Sequence, residues 1–208
     1  MNGKTRNSAR IIAALAVMIA LGWSATASAG TSKASVTVTK TGSGKVVSDP
    51  KGLKCGASTN PCTASFGVGK TVKLTASAAD GWAFAGWGGD CAAATGRTCK
   101  LKVSGPRSAT VTFVKLHKLT VDVKGKGKVV SSPEGIRCGD DCTAKFRQGT
   151  EVTLDPRPED GAILHAWGGA CAGHPTPTAC VLEMTSSMSA QATFVNATST
   201  ATGTVVPG

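Results

Sequence analysis

A pattern of about 80 residues occurs twice in this chain of 208, and each copy carries four of the eight cysteines. The segment GSGKVVSDPKGLKCG at 42–56 returns as GKGKVVSSPEGIRCG at 125–139. Aligned this way, Cys55, Cys62, Cys91 and Cys99 fall on Cys138, Cys142, Cys171 and Cys180. Self-similarity at a fixed period defines a duplicated module. A module this small buries only about 60% of the surface its unfolded chain exposes, so it needs staples. Four cysteines per copy supply them.

The first 29 residues stand apart from the duplication. Lys4, Arg6 and Arg10 precede an apolar run from Ile11 to Gly22, and Ala27-Ser28-Ala29 is a small-residue cleavage site. That order reads as a secretory signal peptide over 1–29, cleaved after Ala29 on a Sec-type route. The run is shorter than the ~20 residues that span a bilayer, and no later segment reads as a transmembrane anchor. The chain is therefore expected to be secreted or held at the cell surface.

Export decides how the cysteines are read, because an even number in an exported chain pairs as disulfides. Zinc is the alternative, since Cys138-x3-Cys142 has a tolerable ligand spacing. Cys55 to Cys62 is too wide for a finger knuckle, however, and an oxidising compartment disfavours thiolate ligands. Duplication of a self-contained unit then predicts local bridges: Cys55–Cys62, Cys91–Cys99, Cys138–Cys142 and Cys171–Cys180. Each bridge of the first copy is worth ~2–3 kcal/mol of chain entropy.

Period-two patterning runs through both copies. Val36 and Val38 alternate with threonines up to Gly42-Ser43-Gly44, and Lys45-Val46-Val47 follows. The second copy repeats this with Leu119, Val121 and Val123 before Gly125-Lys126-Gly127. Alternation on both sides of a glycine turn predicts a β-hairpin. Val72, Leu74 and Ala76 mark a further strand, matched by Val152 and Leu154. Ala79-Asp80-Gly81 and Glu159-Asp160-Gly161 are turns in which the aspartate is expected to cap the backbone. Thr110–Phe113 and Ala190–Phe194 close the two copies, and no window beyond the leader has a helical period. The expectation is a mainly β chain of two tandem, small, disulfide-stabilised domains. They occupy 30–115 and 116–195, joined through the short Lys115-Leu116-His117, with a polar disordered tail over 196–208.

The segments Thr71-Val72-Lys73-Leu74 and Gly86-Trp87-Gly88-Gly89-Asp90-Cys91, with Gly81 between them, resemble the divergent bacterial B-repeat domains related to internalin. Gly161 and Trp167-Gly168-Gly169-Ala170-Cys171 fit equally well. The resemblance covers nearly all of residues 35 to 195. It implies a β-grasp-like or closely related strand-rich fold, found in secreted and surface-exposed bacterial proteins. It also implies spacers or interaction modules rather than enzymes. Two departures are Ala166 in place of Gly86 and the longer Cys55–Cys62 loop of the first copy.

Trp87 and Trp167 occupy the same place in both copies beside a cysteine, as a tryptophan packed on a cystine does in small β domains. Phe66, Phe113, Phe146 and Phe194 read as core. Trp82 has Ala162 as its counterpart, so the fold does not require it; it is a candidate ligand contact, with local packing as the competing reading. Net charge is +11 overall but unevenly held. Residues 35–115 carry 11 Lys/Arg against 3 Asp/Glu, whereas 116–195 carry 8 against 9. Lys73, Lys100 and Lys102 are replaced by Thr153, Val181 and Glu183, and are candidates for contact with an anionic partner. Edge protection by solvated lysines is the competing reading.

His117, His165 and His174 form no catalytic set with a nucleophile and an acid. A chance metal site at His165 and His174 is the residual alternative, and no metal or cofactor is expected. No phosphate-cradling glycine loop precedes a helix, so no nucleotide is expected either. The leading functional reading is a non-enzymatic extracellular module for interaction, adhesion or spacing. Its partner would be a protein or polysaccharide at the cell surface or in the extracellular matrix. The alternative is a module that binds an anionic glycan or other polyanion through the basic first copy.

Overall fold

In the computed structural model, residues 32–56 and 59–197 are described. The expected signal peptide and the chain beyond 197 lie outside the described residues. The first module contains β1 (Lys33–Thr41), β2 (Gly44–Asp49), β3 (Lys54–Cys55), β4 (Cys62–Gly67), β5 (Thr71–Ala78), β6 (Trp82–Gly89) and β7 (Thr98–Lys102). Next comes β8 (Arg107–Lys124), 18 residues long. The second module continues with β9 (Gly127–Ser132), β10 (Thr143–Arg147), β11 (Glu151–Pro158), β12 (Ala162–Gly169), β13 (Cys180–Glu183) and β14 (Met188–Asn196). No α-helix occurs among the described residues. The chain is mainly β, as its patterning implies.

Each module is a pair of sheets. In the first, β6, the leading half of β8, β1 and β4 lie side by side, with β1 parallel to β8. The opposing sheet is β3-β2-β5-β7, antiparallel throughout. In the second, β12, β14, the trailing half of β8 and β10 repeat that order, again with one parallel pair. There the opposing sheet is β13-β11-β9, and an isolated Val130–Arg137 bridge takes the place of β3. Inward positions of both sheets share one core per module. Val36, Val38, Val46, Leu74 and Phe113 belong to the first, and Leu119, Val121, Leu154, Leu164 and Phe194 to the second.

β8 belongs to both modules. Its residues up to Lys115 pair with β1 and β6, and those from Leu116 onward pair with β10 and β14. Lys115-Leu116-His117, read from the sequence as a short join, is thus the middle of a continuous strand. Leu116 N donates to Gly81 O at 2.8 Å and Gln148 N to Lys115 O at 2.9 Å across this point. The Arg147 guanidinium also donates to Phe84 O at 2.9 Å. His117 keeps the inward parity of the strand and is buried.

The expected hairpins do not form. β1 and β2 lie in different sheets, as do β8 and β9, so Gly42-Ser43-Gly44 and Gly125-Lys126-Gly127 are corners at which the chain changes sheet. The glycines answer a packing demand. Gly42 has φ +78°, and a Cβ there would stand 2.1 Å from the Phe113 carbonyl oxygen; at Gly44 it would stand 2.5 Å from the Phe113 ring. Gly125 and Gly127 meet Phe194 in the same way. The turns at 79–81 and 159–161 also change sheet. They are closed by backbone bonds, Trp82 N to Ala79 O and Ala162 N to Glu159 O, and not by the aspartate side chains.

The disulfides join Cys55 to Cys62, Cys91 to Cys99, Cys138 to Cys142 and Cys171 to Cys180, with Cα separations of 5.6, 5.7, 4.5 and 5.8 Å. These separations suit a bridge. Each bridge closes a connection that crosses between the two sheets of its module, which is where a thin core gains most from a tie. At the far end, β14 runs through Asn196, which pairs with Ala162, and Ala197 N donates to Gly161 O. Strand pairing therefore outlasts residue 195, where the polar tail was expected to begin.

Candidate functional site

The opposing sheet of the first module turns one face inward and one to solvent. Strand alternation sends Val46, Val72, Leu74, Ala76, Cys99 and Leu101 into the core, and so places their neighbours outside. On that outer face Lys73 stands directly opposite Lys100, and Thr71 opposite Lys102. Lys54 faces Val47, and Lys45 faces Ser77. Among the described residues five lysines thus share one exposed surface with a single acid, Asp49, which sits opposite Lys73 without forming an ion pair. Like charges directly opposite in an antiparallel pair are destabilising, so the Lys73–Lys100 pair is not accounted for by cross-strand attraction.

The corresponding face of the second module is chemically different. Glu151 and Glu183 stand opposite each other where the first module has Thr71 and Lys102. Thr153 faces Val181 where Lys73 faces Lys100, and Asp155 is ion-paired with Arg157. The scaffold is shared and the outer surface is not.

The four candidates from the sequence do not converge. Lys73, Lys100 and Lys102 come together. Trp82 lies on β6, in the other sheet, opposite Lys115, where it is half-buried against the core. Its ring comes within 2.8 Å of the position a Cβ would take at Gly42, so it packs on the corner. Lys45 and Lys54 complete the basic face but were missed by the sequence reading. Period two would have placed both on the outward side of their strands, had the pairing register been known.

Trp87 and Trp167 are buried, as are Phe66, Phe113, Phe146 and Phe194. Trp167 Nε1 donates to Thr178 O at 2.9 Å. Trp87 Nε1 is buried without a hydrogen-bond partner among the described residues, and the first module has Phe84 set edge-on to both Trp87 and Phe113. His165 is exposed on β12, and His174 lies in the loop that follows. Among the described residues no group of three or more His, Cys, Asp or Glu side chains is placed to hold a metal ion. No helix of the described residues is long and apolar enough to cross a membrane.

Fold and surface together define a tandem of disulfide-stapled, two-sheet β modules, one of them with a basic face. Residues 34–116 match the model of the divergent InlB B-repeat domain, so the chain contains a B-repeat domain over its first module. The second module repeats the strand order of the first, with the isolated Val130–Arg137 bridge in place of β3. None of the curated proteins compared is similar enough to count as a relative. Among solved structures, the major pilin protein (T-13) from Streptococcus pyogenes serotype GAS131465 aligns with 79% of this chain and 96% of its own, at 12% identity. Its TM-score of 0.22 is too slight a likeness to define a shared fold.

Proposed function

We propose that this is an exported bacterial repeat protein that works by presenting surface, as an extracellular interaction, adhesion or spacer module, and that it performs no catalysis. The observation that carries this reading is β8. One strand completes the core of both modules, which makes the pair a stiff rod segment rather than two beads on a linker. The B-repeat match supports a place at the cell surface or outside the cell. A pull-down of oxidised protein against the producing cell's envelope and against matrix proteins and polysaccharides tests it. Retention of a surface component is the expected result, and turnover of a hydrolase substrate overturns it.

The basic outer face favours a second, more specific reading: the first module binds an acidic polysaccharide. Five lysines against one aspartate give that surface a positive potential, and the second module's mixed face has no equivalent. Replacing Lys73→Thr, Lys100→Val and Lys102→Glu installs the second module's own residues. Binding to a sulfated polysaccharide is expected to disappear in that variant while the fold persists. In the parent it should weaken steeply towards physiological salt, where the Debye length is ~8 Å. Unchanged or salt-insensitive binding would assign the lysines to solvation alone.

A further inference from the structure

Lys40 is the one lysine of the first module that is buried, 8% exposed, on the inward side of β1 in line with Ala34, Val36 and Val38. Its backbone is tied to Asn60, whose side chain accepts from Lys40 N at 2.8 Å and donates to Lys40 O at 2.7 Å. Its ammonium has no carboxylate or other partner among the described residues. The core buries the stem of this lysine while its ammonium reaches solvent, which leaves the charge available to a ligand. Lys40 lines a cavity of about 520 Å³ at the open end of the sandwich, shared with the corner Gly42-Ser43-Gly44, with Lys45 and with Ser77. Among the described residues no acid lines that cavity; Asp80 follows the lining residue Ala79 and is not part of the lining.

The second module shows what the fold alone requires here. Lys40 sits opposite Val111 in β8, and the equivalent residue opposite Ala192 of β14 is Val123. An apolar residue thus serves the core at this position. The same mouth of the second module is lined by Lys126 together with Glu159 and Asp160, so its cation comes with built-in carboxylates. The first module has two lysines, two serine hydroxyls and no acid.

From this we infer that the cavity at Lys40 is a binding site for a single oxyanion, sulfate or phosphate, either free or borne by an acidic polysaccharide. Lys40 supplies charge from below, Lys45 from the rim, and Ser43 and Ser77 supply neutral donors. The glycines keep the corner open, because side chains there would collide with Phe113. This site borders the outer lysine face and shares Lys45 with it, but it includes none of Lys73, Lys100 and Lys102, so the variant at those three tests the face without touching the cavity.

The test is titration of the oxidised protein with inorganic sulfate, inorganic phosphate and a sulfated heparin oligosaccharide, followed by NMR shifts of the 42–45 amides. Saturable shifts in the millimolar range are expected for at least one free ion, with chloride as the inactive control. A response to the oligosaccharide alone would assign the oxyanion to a polysaccharide. Lys40→Val, the second module's own residue, should weaken binding at least about ten-fold. Lys40→Met, which keeps the stem and removes the charge, should do the same, and an unchanged amide pattern elsewhere reports the intact fold. The Lys73, Lys100 and Lys102 variant should leave these shifts in place. Absence of saturable shifts with all three probes overturns the proposal, as does parent-like affinity in both Lys40 variants.

Discussion

Replacing Gly44 by alanine isolates the contact that makes the corner between β1 and β2. Gly44 has no left-handed backbone, so alanine is not excluded by its dihedrals. The added Cβ would instead lie 2.5 Å from Cε2 and Cζ of Phe113 and 2.8 Å from its Cδ2. Ordinary carbon contacts are ~3.5–4.0 Å, so ring or strand must yield by about 1 Å, an overpacking cost of ~1–3 kcal/mol. Reduced freedom of the unfolded chain returns ~0.4–1 kcal/mol, leaving a net loss of ~1–2 kcal/mol. Phe113→Leu alone opens a space in the core and is expected to cost less than the ~3–5 kcal/mol of a Phe→Ala change. Together the new methyl enters the space the ring left, so the double variant should be ~1–2 kcal/mol more stable than the sum of the singles. Gly42→Ala is the contrast. Its Cβ meets the Phe113 carbonyl oxygen at 2.1 Å, and φ is +78°, so changing the ring offers it no relief. Gly81→Ala, with φ +74° and open space around it, should show the dihedral cost alone, ~1–2 kcal/mol. Urea unfolding under oxidising conditions, followed by circular dichroism, measures all of these through midpoint and slope. Additivity of Gly44→Ala with Phe113→Leu within ~0.5 kcal/mol, or equal rescue of Gly42→Ala, would refute the corner-and-ring account.

Two further outcomes follow from the differences between the modules. Trp167→Phe should cost about 1 kcal/mol more than Trp87→Phe, because only Trp167 Nε1 has a partner to lose, and denaturant midpoints of the two variants check it. Separating 30–115 from 116–208 divides β8 between its two pairing sets, so each fragment is expected to fold under oxidising conditions. Both should melt below the intact chain, since three hydrogen bonds of ~1 kcal/mol each cross the cut; an unfolded fragment with its disulfides formed would contradict this.

Fold class, strand positions and the inward residues were legible because period-two patterning reports burial directly. Val72, Leu74 and Ala76 alternate in the sequence and are buried in the structure. The same pattern is silent about pairing partners. Val36 and Val38 look alike whether their strand pairs with the next one or, as here, with β4 and β8. Nearly every connection changes sheet, so the hairpin reading of Gly42-Ser43-Gly44 failed for a reason no local window contains: Phe113 is 69 residues away. The basic face was partly legible for a related reason. Lys73, Lys100 and Lys102 stand out by replacement in the second copy, but Lys45 has Lys128 as its counterpart and Lys54 has Arg137, so comparison of copies passes over them. Lys40 was hidden because its burial depends on where β1 meets the mouth of the sandwich.

Duplication provides an internal control that a single domain lacks. Residues that recur because the scaffold needs them are recognisable by the contact they serve: Gly42 and Gly125 against a carbonyl oxygen, Gly44 and Gly127 against a ring, Trp87 and Trp167 in the core. Positions that differ cannot be required by the scaffold, since one copy folds without them. By that measure the charges of Lys40, Lys73, Lys100 and Lys102 are not required by the scaffold, and all four stand in the first module. The second module instead carries Glu151 and Glu183 on its outer face and Glu159 and Asp160 at its mouth. One face is basic and the other mixed, so under the proposed reading contact with an acidic surface is expected from the first module alone, and surface charge is the property in which the two copies differ most.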